Sequence, residues 1–410
     1  MKKNHKTILI SFLVFTPLIL SPLSSYSLNY LNQNGIYLSN SGISNYQILN
    51  SVKYNVEINF TITRNWLGSS TYYYKVPRLN YRGPESNLTK YCPPYQESDL
   101  VYNKISGSDS EPFYLIDKFN NSYDLFNATL FSGNSLTFSQ NYIVKQNEVS
   151  YQNVDYNDIG EYDYSDIIFD LYCNRSVQFY NTSNEDLINA YNSEIGISES
   201  DNPIQKAKKI IDWIAENINY EVQASERGAS WAYENKKGDC SEYADLLITL
   251  LRIGKIPARK VTGFVLSTQI PFRPSVGEIY TYSFSDSEDS LLGHAWVEYF
   301  VPNIGWIATD PTWYTGGGNY FNKIDYQRFG FNVGQWFYYP PSENVSEYIN
   351  PPPNYSSATD SYVFKVTVLE TNYAQDYLPY IILGISLAVV AIGAGYYVVK
   401  KRKRSRETRY

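Results

Sequence analysis

The segment that most constrains this chain is an apolar stretch of helical period, residues 243–251, entered through Lys236-Lys237-Gly238-Asp239-Cys240-Ser241-Glu242 and left at Gly254. Ala244, Leu247, Ile248 and Leu251 recur at the spacing of one buried helix face, and Gly254 is a stop signal. Cys240 therefore belongs at or near a helix N-terminus, where unpaired N–H groups and the macrodipole favour a thiolate over a thiol. Gly238 allows a tight turn just before it and leaves the sulfur approachable. Downstream, residues 293–301 alternate, with His294, Trp296, Glu298 and Phe300 on one face, and residues 305–312 read as a return strand across a Pro302-Asn303-Gly305 turn. A buried helix followed by such a hairpin predicts an α+β core.

The chain has two histidines, and His5 lies in a segment expected to be removed, which leaves His294 as the one imidazole of the mature protein. A lone strand histidine is ordinarily a packed core residue. Its surroundings argue otherwise here. The midpoint of 294 and 310 is 302, so a hairpin turning at Pro302 sets His294 opposite Asp310. A carboxylate in that place accepts the imidazole N–H, fixes the tautomer and stabilises the imidazolium formed opposite a thiolate. Cys240, His294 and Asp310 are the candidate catalytic residues. No metal or other cofactor is expected, because no Cys or His pair has ligand spacing.

The same segments resemble the transglutaminase-like superfamily of papain-fold thiol enzymes. The stretch from Ile204 through Trp213 to Tyr220 looks like that family's leading helix. Gly238-Asp239-Cys240-Ser241-Glu242-Tyr243-Ala244 is similar to its nucleophile segment, and Leu250-Leu251-Arg252-Ile253-Gly254-Lys255-Ile256-Pro257-Ala258-Arg259 to its helix-to-strand passage. His294-Ala295-Trp296-Val297-Glu298 and Gly305-Trp306-Ile307-Ala308-Thr309-Asp310-Pro311 are similar to its two catalytic strands. Lys255 departs from the pattern, which carries glycine there. The resemblance covers residues from about 203 to 313. It implies a papain-like core, a Cys240 nucleophile, His294 as base and acid, Asp310 as orienter, and acyl transfer or hydrolysis of an amide through a thioester. A backbone N–H at Cys240 is a natural oxyanion donor at a helix start. Trp213, Tyr220 and Trp231 each carry a possible second donor and an equally plain packing role.

The two ends predict where this chemistry is placed. Lys2, Lys3 and Lys6 precede an apolar run, and Ser25-Tyr26-Ser27 has the small residues of a signal-peptidase site, so residues 1–27 read as a signal peptide. Residues 378–399 are 22 long without a charge, enough for a membrane helix, and the basic run 400–410 that follows is expected in the cytoplasm. The reading is a bacterial- or archaeal-type single-pass membrane protein with its ectodomain outside. Glycosylation sequons at Asn59, Asn87, Asn120, Asn127, Asn174, Asn181, Asn344 and Asn354 flank the region from 200 to 340 and never enter it. Cys92 and Cys173 are the expected partners of a disulfide that would leave Cys240 free.

Between those ends, residues 28–195 read as a β-rich extracellular domain, with alternation at 54–63 and 135–149 suggesting a sandwich. Residues 203–335 read as the transglutaminase-like domain, and 336–377 as a Pro- and aromatic-rich stalk that includes one more alternating strand at 361–370. The polar insertion 267–292 is expected to be a lid over the site or an exposed loop. The 42 tyrosines are expected to serve mainly strand packing. A net charge of −7 and the lack of basic clustering in the ectodomain exclude a nucleic-acid partner; the expected partner is a protein or peptide substrate at the cell surface. The alternative is a catalytically silent binding or structural module on the same fold.

Overall fold

The computed structural model describes residues 46–80, 82, 92–106, 111–174, 179–285, 290, 292–334 and 357–374. The signal-peptide segment, the apolar run at 378–399, the basic tail and residues 336–356 of the stalk lie outside the described residues. Among the described residues no helix is long and apolar enough to cross a membrane.

Alternation builds the first half. Strands β1 (Gln47–Arg64), β2 (Ser69–Pro77), β3 (Gln96–Ile105), β4 (Phe113–Ile116), β5 (Ser122–Phe131) and β6 (Ser135–Ser150) follow in order. Along β1, Val52, Tyr54, Val56, Ile58, Phe60 and Ile62 are buried while their neighbours reach the surface, the period-two pattern of a half-buried strand. β1 and β6 pair antiparallel from Gln47↔Ser150 to Thr63↔Ser135. Phe60 packs on Tyr74, and Tyr74 on Phe126, joining this sheet to the three-stranded sheet β2-β5-β4. Fully buried tyrosines such as Tyr54, Tyr74 and Tyr142 carry much of this packing.

The second half supplies the helices α1 (Ile167–Tyr172), α2 (Glu185–Asn189) and α3 (Pro203–Asn217), then β7 (Asn219–Tyr220), α4 (Ala229–Asn235), β8 (Lys237–Gly238) and α5 (Cys240–Ile253). Next come β9 (Ala258–Val265), β10 (Ile279–Ser285), β11 (Gly293–Val301), β12 (Gly305–Thr309), α6 (Pro311–Thr315), β13 (Lys323–Ile324), β14 (Arg328–Gly334) and β15 (Ala358–Tyr373). A four-stranded antiparallel sheet in the order β12-β11-β9-β14 meets α5, whose Tyr243, Leu246, Leu247, Leu250 and Leu251 have no exposed surface. Each such side chain contributes about 1.5–3 kcal/mol by leaving water.

Two features differ from the sequence reading. Residues 28–195 do not complete their own sandwich: β10, from the 267–292 insertion, and β15, from the expected stalk, join β1, β3, β6 and β13 in one six-stranded sheet. Pairing of Ile279–Ser285 with residues 367–361 makes part of the insertion an edge strand of that sheet, so it is neither simply a lid nor simply a loop. All residues of β11 after Gly293 are buried, and Glu298 on the His294 face is paired there with Arg82 and Arg259. The departure at Lys255 has a local cause: it takes φ +59° just past α5, the left-handed conformation that glycine adopts without strain, while Ile256 N donates to Leu251 O at 2.9 Å.

Candidate active site

The N-terminus of α5 is fixed by a reciprocal cap. Asp239 Oδ1 accepts from Ser241 N at 3.0 Å, and Glu242 Oε2 accepts from Asp239 N at 2.9 Å. The remaining oxygens of the same two carboxylates hold the preceding loop, Asp239 Oδ2 from Gln223 N at 3.0 Å and Glu242 Oε1 from Arg227 N at 2.7 Å. A side chain at position 238 would meet this cap, since a Cβ on Gly238 would lie 2.3 Å from Glu242 Cβ. Cys240 is the first residue of the helix, so helical geometry gives its N–H no acceptor four residues back. It is half-buried.

His294 enters from the first turn of β11, opposite Gly263 of β9. Its Nε2 lies 2.6 Å from Asp310 Oδ2, and its contact with Cys240 is therefore left to Nδ1. The ring sits 6.0–6.1 Å from those of Trp296 and Trp313. Burial alone would lower the basicity of this ring, but the Asp310 carboxylate and then Cys240 overcome that and raise it to about 9. At neutral pH the ring is an imidazolium, the partner that a thiolate nucleophile needs.

Asp310 reaches His294 by a route other than a face-to-face hairpin pair. The hairpin register runs from Val301↔Gly305 to Val297↔Thr309 and centres on Asn303, which takes φ +64°, rather than on Pro302. By that register position 294 would face 312. The return strand stops at Thr309 instead, and Asp310 becomes the N-cap of α6, with Pro311 at the first helical position and Oδ1 accepting from Trp313 N at 3.1 Å. That leaves Oδ2 for His294 and for Arg328, whose Nε and Nη2 donate to it at 3.1 and 2.9 Å. The carboxylate has no exposed surface; burial pushes its pKa up, but His294 and Arg328 together bring it down to about 2. Arg328 escaped the sequence reading, because it carries no local signal and meets Asp310 only through the strand order.

Among the three aromatic candidates, Tyr220 is the one whose hydroxyl feels the charge of Cys240. β7 pairs it with Gly238, and its hydroxyl is pushed up to about 12, first by burial and then by the charges of Cys240, Asp239 and Asp310. Trp213 instead stacks on Tyr233 at 5.9 Å under Lys236, and Trp231 lies beneath Arg227. The expected disulfide is not formed. Cys92 and Cys173 are free, buried thiols, the first 3.9 Å from Arg259 Nη2 and the second 3.8 Å from Arg252 O, and burial pushes both thiol pKa values up.

The His294–Asp310 pair sets a pH dependence of stability. The raised His294 value contributes stability that is complete below its ordinary pKa of 6.5 and is lost as pH rises through about 9. The depressed Asp310 value contributes stability present above its ordinary 3.8 and lost as pH falls through about 2. The stability difference between the wild type and His294→Gln, followed by urea unfolding, is expected to be largest between about pH 4 and 6.5 and to shrink by on the order of 2–3 kcal/mol toward pH 9. A difference independent of pH would contradict this.

Residues 190–311 match the Transglutaminase-like superfamily. The uncharacterized protein YebA of Bacillus subtilis is 26% identical over 122 residues, covering 28% of this chain and 16% of that protein. The Protein-glutamine gamma-glutamyltransferase of Pseudomonas aeruginosa is 32% identical over 81 residues, 20% of this chain and 11% of that protein. The chain thus spans less than a fifth of the length of these curated relatives. Among solved structures, a candidate cysteine protease from Cytophaga hutchinsonii aligns with a TM-score of 0.45 at 15% identity, covering 81% of this chain and 96% of that one. The periplasmic domain of TgpA from Pseudomonas aeruginosa, bound to ethylmercury, aligns with a TM-score of 0.29 at 15% identity, covering 64% and 90%. The matched segment contains Cys240, His294 and Asp310, and it is this segment that is similar to the transglutaminase-like superfamily.

Proposed function

We propose that this protein is a cell-surface cysteine enzyme that acts on amide bonds through a thioester. The observation that carries the reading is the convergence of a helix-start cysteine, an imidazole 2.6 Å from a carboxylate, and that carboxylate's burial among Trp313 N and Arg328, all from separate elements. Cys240 Sγ attacks the carbonyl carbon, and negative charge gathers on the carbonyl oxygen, for which the backbone N–H at the start of α5 is the donor in this reading. The His294 imidazolium hands its proton to the leaving nitrogen, the C–N bond breaks, and a thioester remains. His294, now neutral, accepts a proton from an amine or a water molecule as it attacks. The acyl group leaves on that nucleophile and the thiolate–imidazolium pair is restored. Asp310 keeps one ring nitrogen occupied throughout, so the other always faces sulfur.

The name of the Pseudomonas relative supports a glutamine side-chain amide as the acyl donor. The apolar run at 378–399 and the basic residues after it support a single-pass anchor with the catalytic region outside the cell. Incubated with glutamine-containing peptides and with other amide-bearing peptides, the soluble ectodomain is expected to release ammonia or cleave the peptide, and to incorporate an added primary amine if transfer is its activity. No product across a broad amide panel would favour the binding module instead.

A further inference from the structure

We propose that Arg328, a residue outside the family-matched segment, is a positioning residue of this site: its guanidinium holds Asp310 as an oriented carboxylate and so keeps His294 turned to Cys240. The inference rests on the catalytic reading above. Arg328 stands on β14, across β9 from β11, where Gly330 and His294 are both opposite Gly263. Two of its N–H groups converge on the same Asp310 oxygen that His294 occupies, while Nη1 lies 2.5 Å from Asp325 Oδ1. Its plane lies over Trp313 at 4.0 Å and Tyr320 at 4.5 Å, and only 1% of the side chain is exposed.

The groups that face this cluster from every side are Asp310 at the β12–α6 junction, His294 on β11, Asp325 before β14, Tyr320 ahead of β13, and, beyond His294, Cys240 and Tyr220. Charge balances within the set: Asp325 offsets Arg328, and Asp310 remains anionic beside the imidazolium. With Arg328 removed, burial dominates at Asp310 and the carboxyl takes up a proton at a higher pH. A neutral Asp310 no longer supports a charged His294. The loss of a nearby cation and the loss of that support act in the same direction, against the thiolate–imidazolium pair at acid pH. A lysine keeps the charge but not the planar fork or the stack.

The test is the rate of Cys240 alkylation by iodoacetamide against pH, on the full-length folded protein. Arg328→Met is expected to move the acid limb of the profile up by about one unit, so that the rate near pH 5 falls about tenfold while the rate near pH 8 changes far less. Arg328→Lys is expected to give about half that shift. Adding Arg328→Met to Asp310→Asn is expected to move the limb far less than it does in the wild type. A folded Arg328→Met with an unmoved limb, or one slowed by the same factor at every pH and in both backgrounds, overturns the proposal. If the methionine variant does not unfold cooperatively, an unmoved limb in the lysine variant overturns it. A shifted limb without amide turnover by the wild type sinks the proposed function and leaves Arg328 in its role. An unreactive wild-type Cys240 overturns both.

Discussion

Replacing Cys240 with alanine is expected to abolish amide turnover, a loss of about 10⁴–10⁶ in kcat, with the fold intact. The size of the effect follows from where the sulfur sits. Cys240 is the first residue of α5, its side chain is not part of the buried α5 face, and the cap that fixes the helix uses Asp239 and Glu242 instead. Truncation therefore removes the nucleophile at the cost of only a partly buried contact with the core. His294→Ala is expected to cost nearly as much, because the thiolate then lacks both its counter-ion and its proton carrier. Combining the two adds little, since residues that act as one unit are not additive. Asp310→Asn costs less, because the amide still occupies the N-cap and still neighbours the ring, while the charge that favours the imidazolium is gone. Rates of ammonia release, measured beside thermal unfolding of each variant, check this order.

Gly263→Ala is expected to be the most damaging single methyl in the domain. A Cβ there would lie 1.7 Å from Phe329 O, a backbone atom of the neighbouring strand that cannot rotate aside. β9 and β14 must part, breaking the ladder in which Gly263 faces Gly330 on one side and His294 on the other. Overpacking of this kind costs about 3 kcal/mol or more when backbone has to move. The displaced strand carries Arg328, so any folded remainder is expected to lose Cys240 reactivity as well. Urea unfolding and iodoacetamide labelling of the variant measure the two losses; unchanged values in both would mean that the β9–β14 contact is looser than described.

The parts of this molecule that could be read from sequence are those written in adjacent residues. A glycine, an aspartate and a glutamate around Cys240 spell a helix start, and the apolar period after them spells the face that the sheet covers. The alternation in β1 and β6 is equally local. Asp310 was legible as the partner of His294, but through a hairpin symmetry that the structure does not use; a proline after the aspartate ends the strand and begins α6, and the cap rather than the register aims the carboxylate. Arg328 and the recruitment of β10 and β15 to the sheet of β1 had no such signal. Each depends on which strands lie side by side in the folded sheets, over separations from the 18 positions between Asp310 and Arg328 to the 308 between Glu57 and Lys365. The separate burial of Cys92 against Arg259 and of Cys173 against the Arg252 carbonyl likewise belongs to tertiary packing, which composition does not show.

The most direct measurement is intact-mass and peptide mass spectrometry of the protein quenched in acid during reaction with an amide substrate. The account predicts a covalent acyl adduct on the peptide that contains Cys240, discharged by hydroxylamine or by an added primary amine, absent from Cys240→Ala, and never on Cys92 or Cys173. Product formation by Cys240→Ala at the wild-type rate, or turnover by the wild type with the acyl group found on another residue, would contradict it.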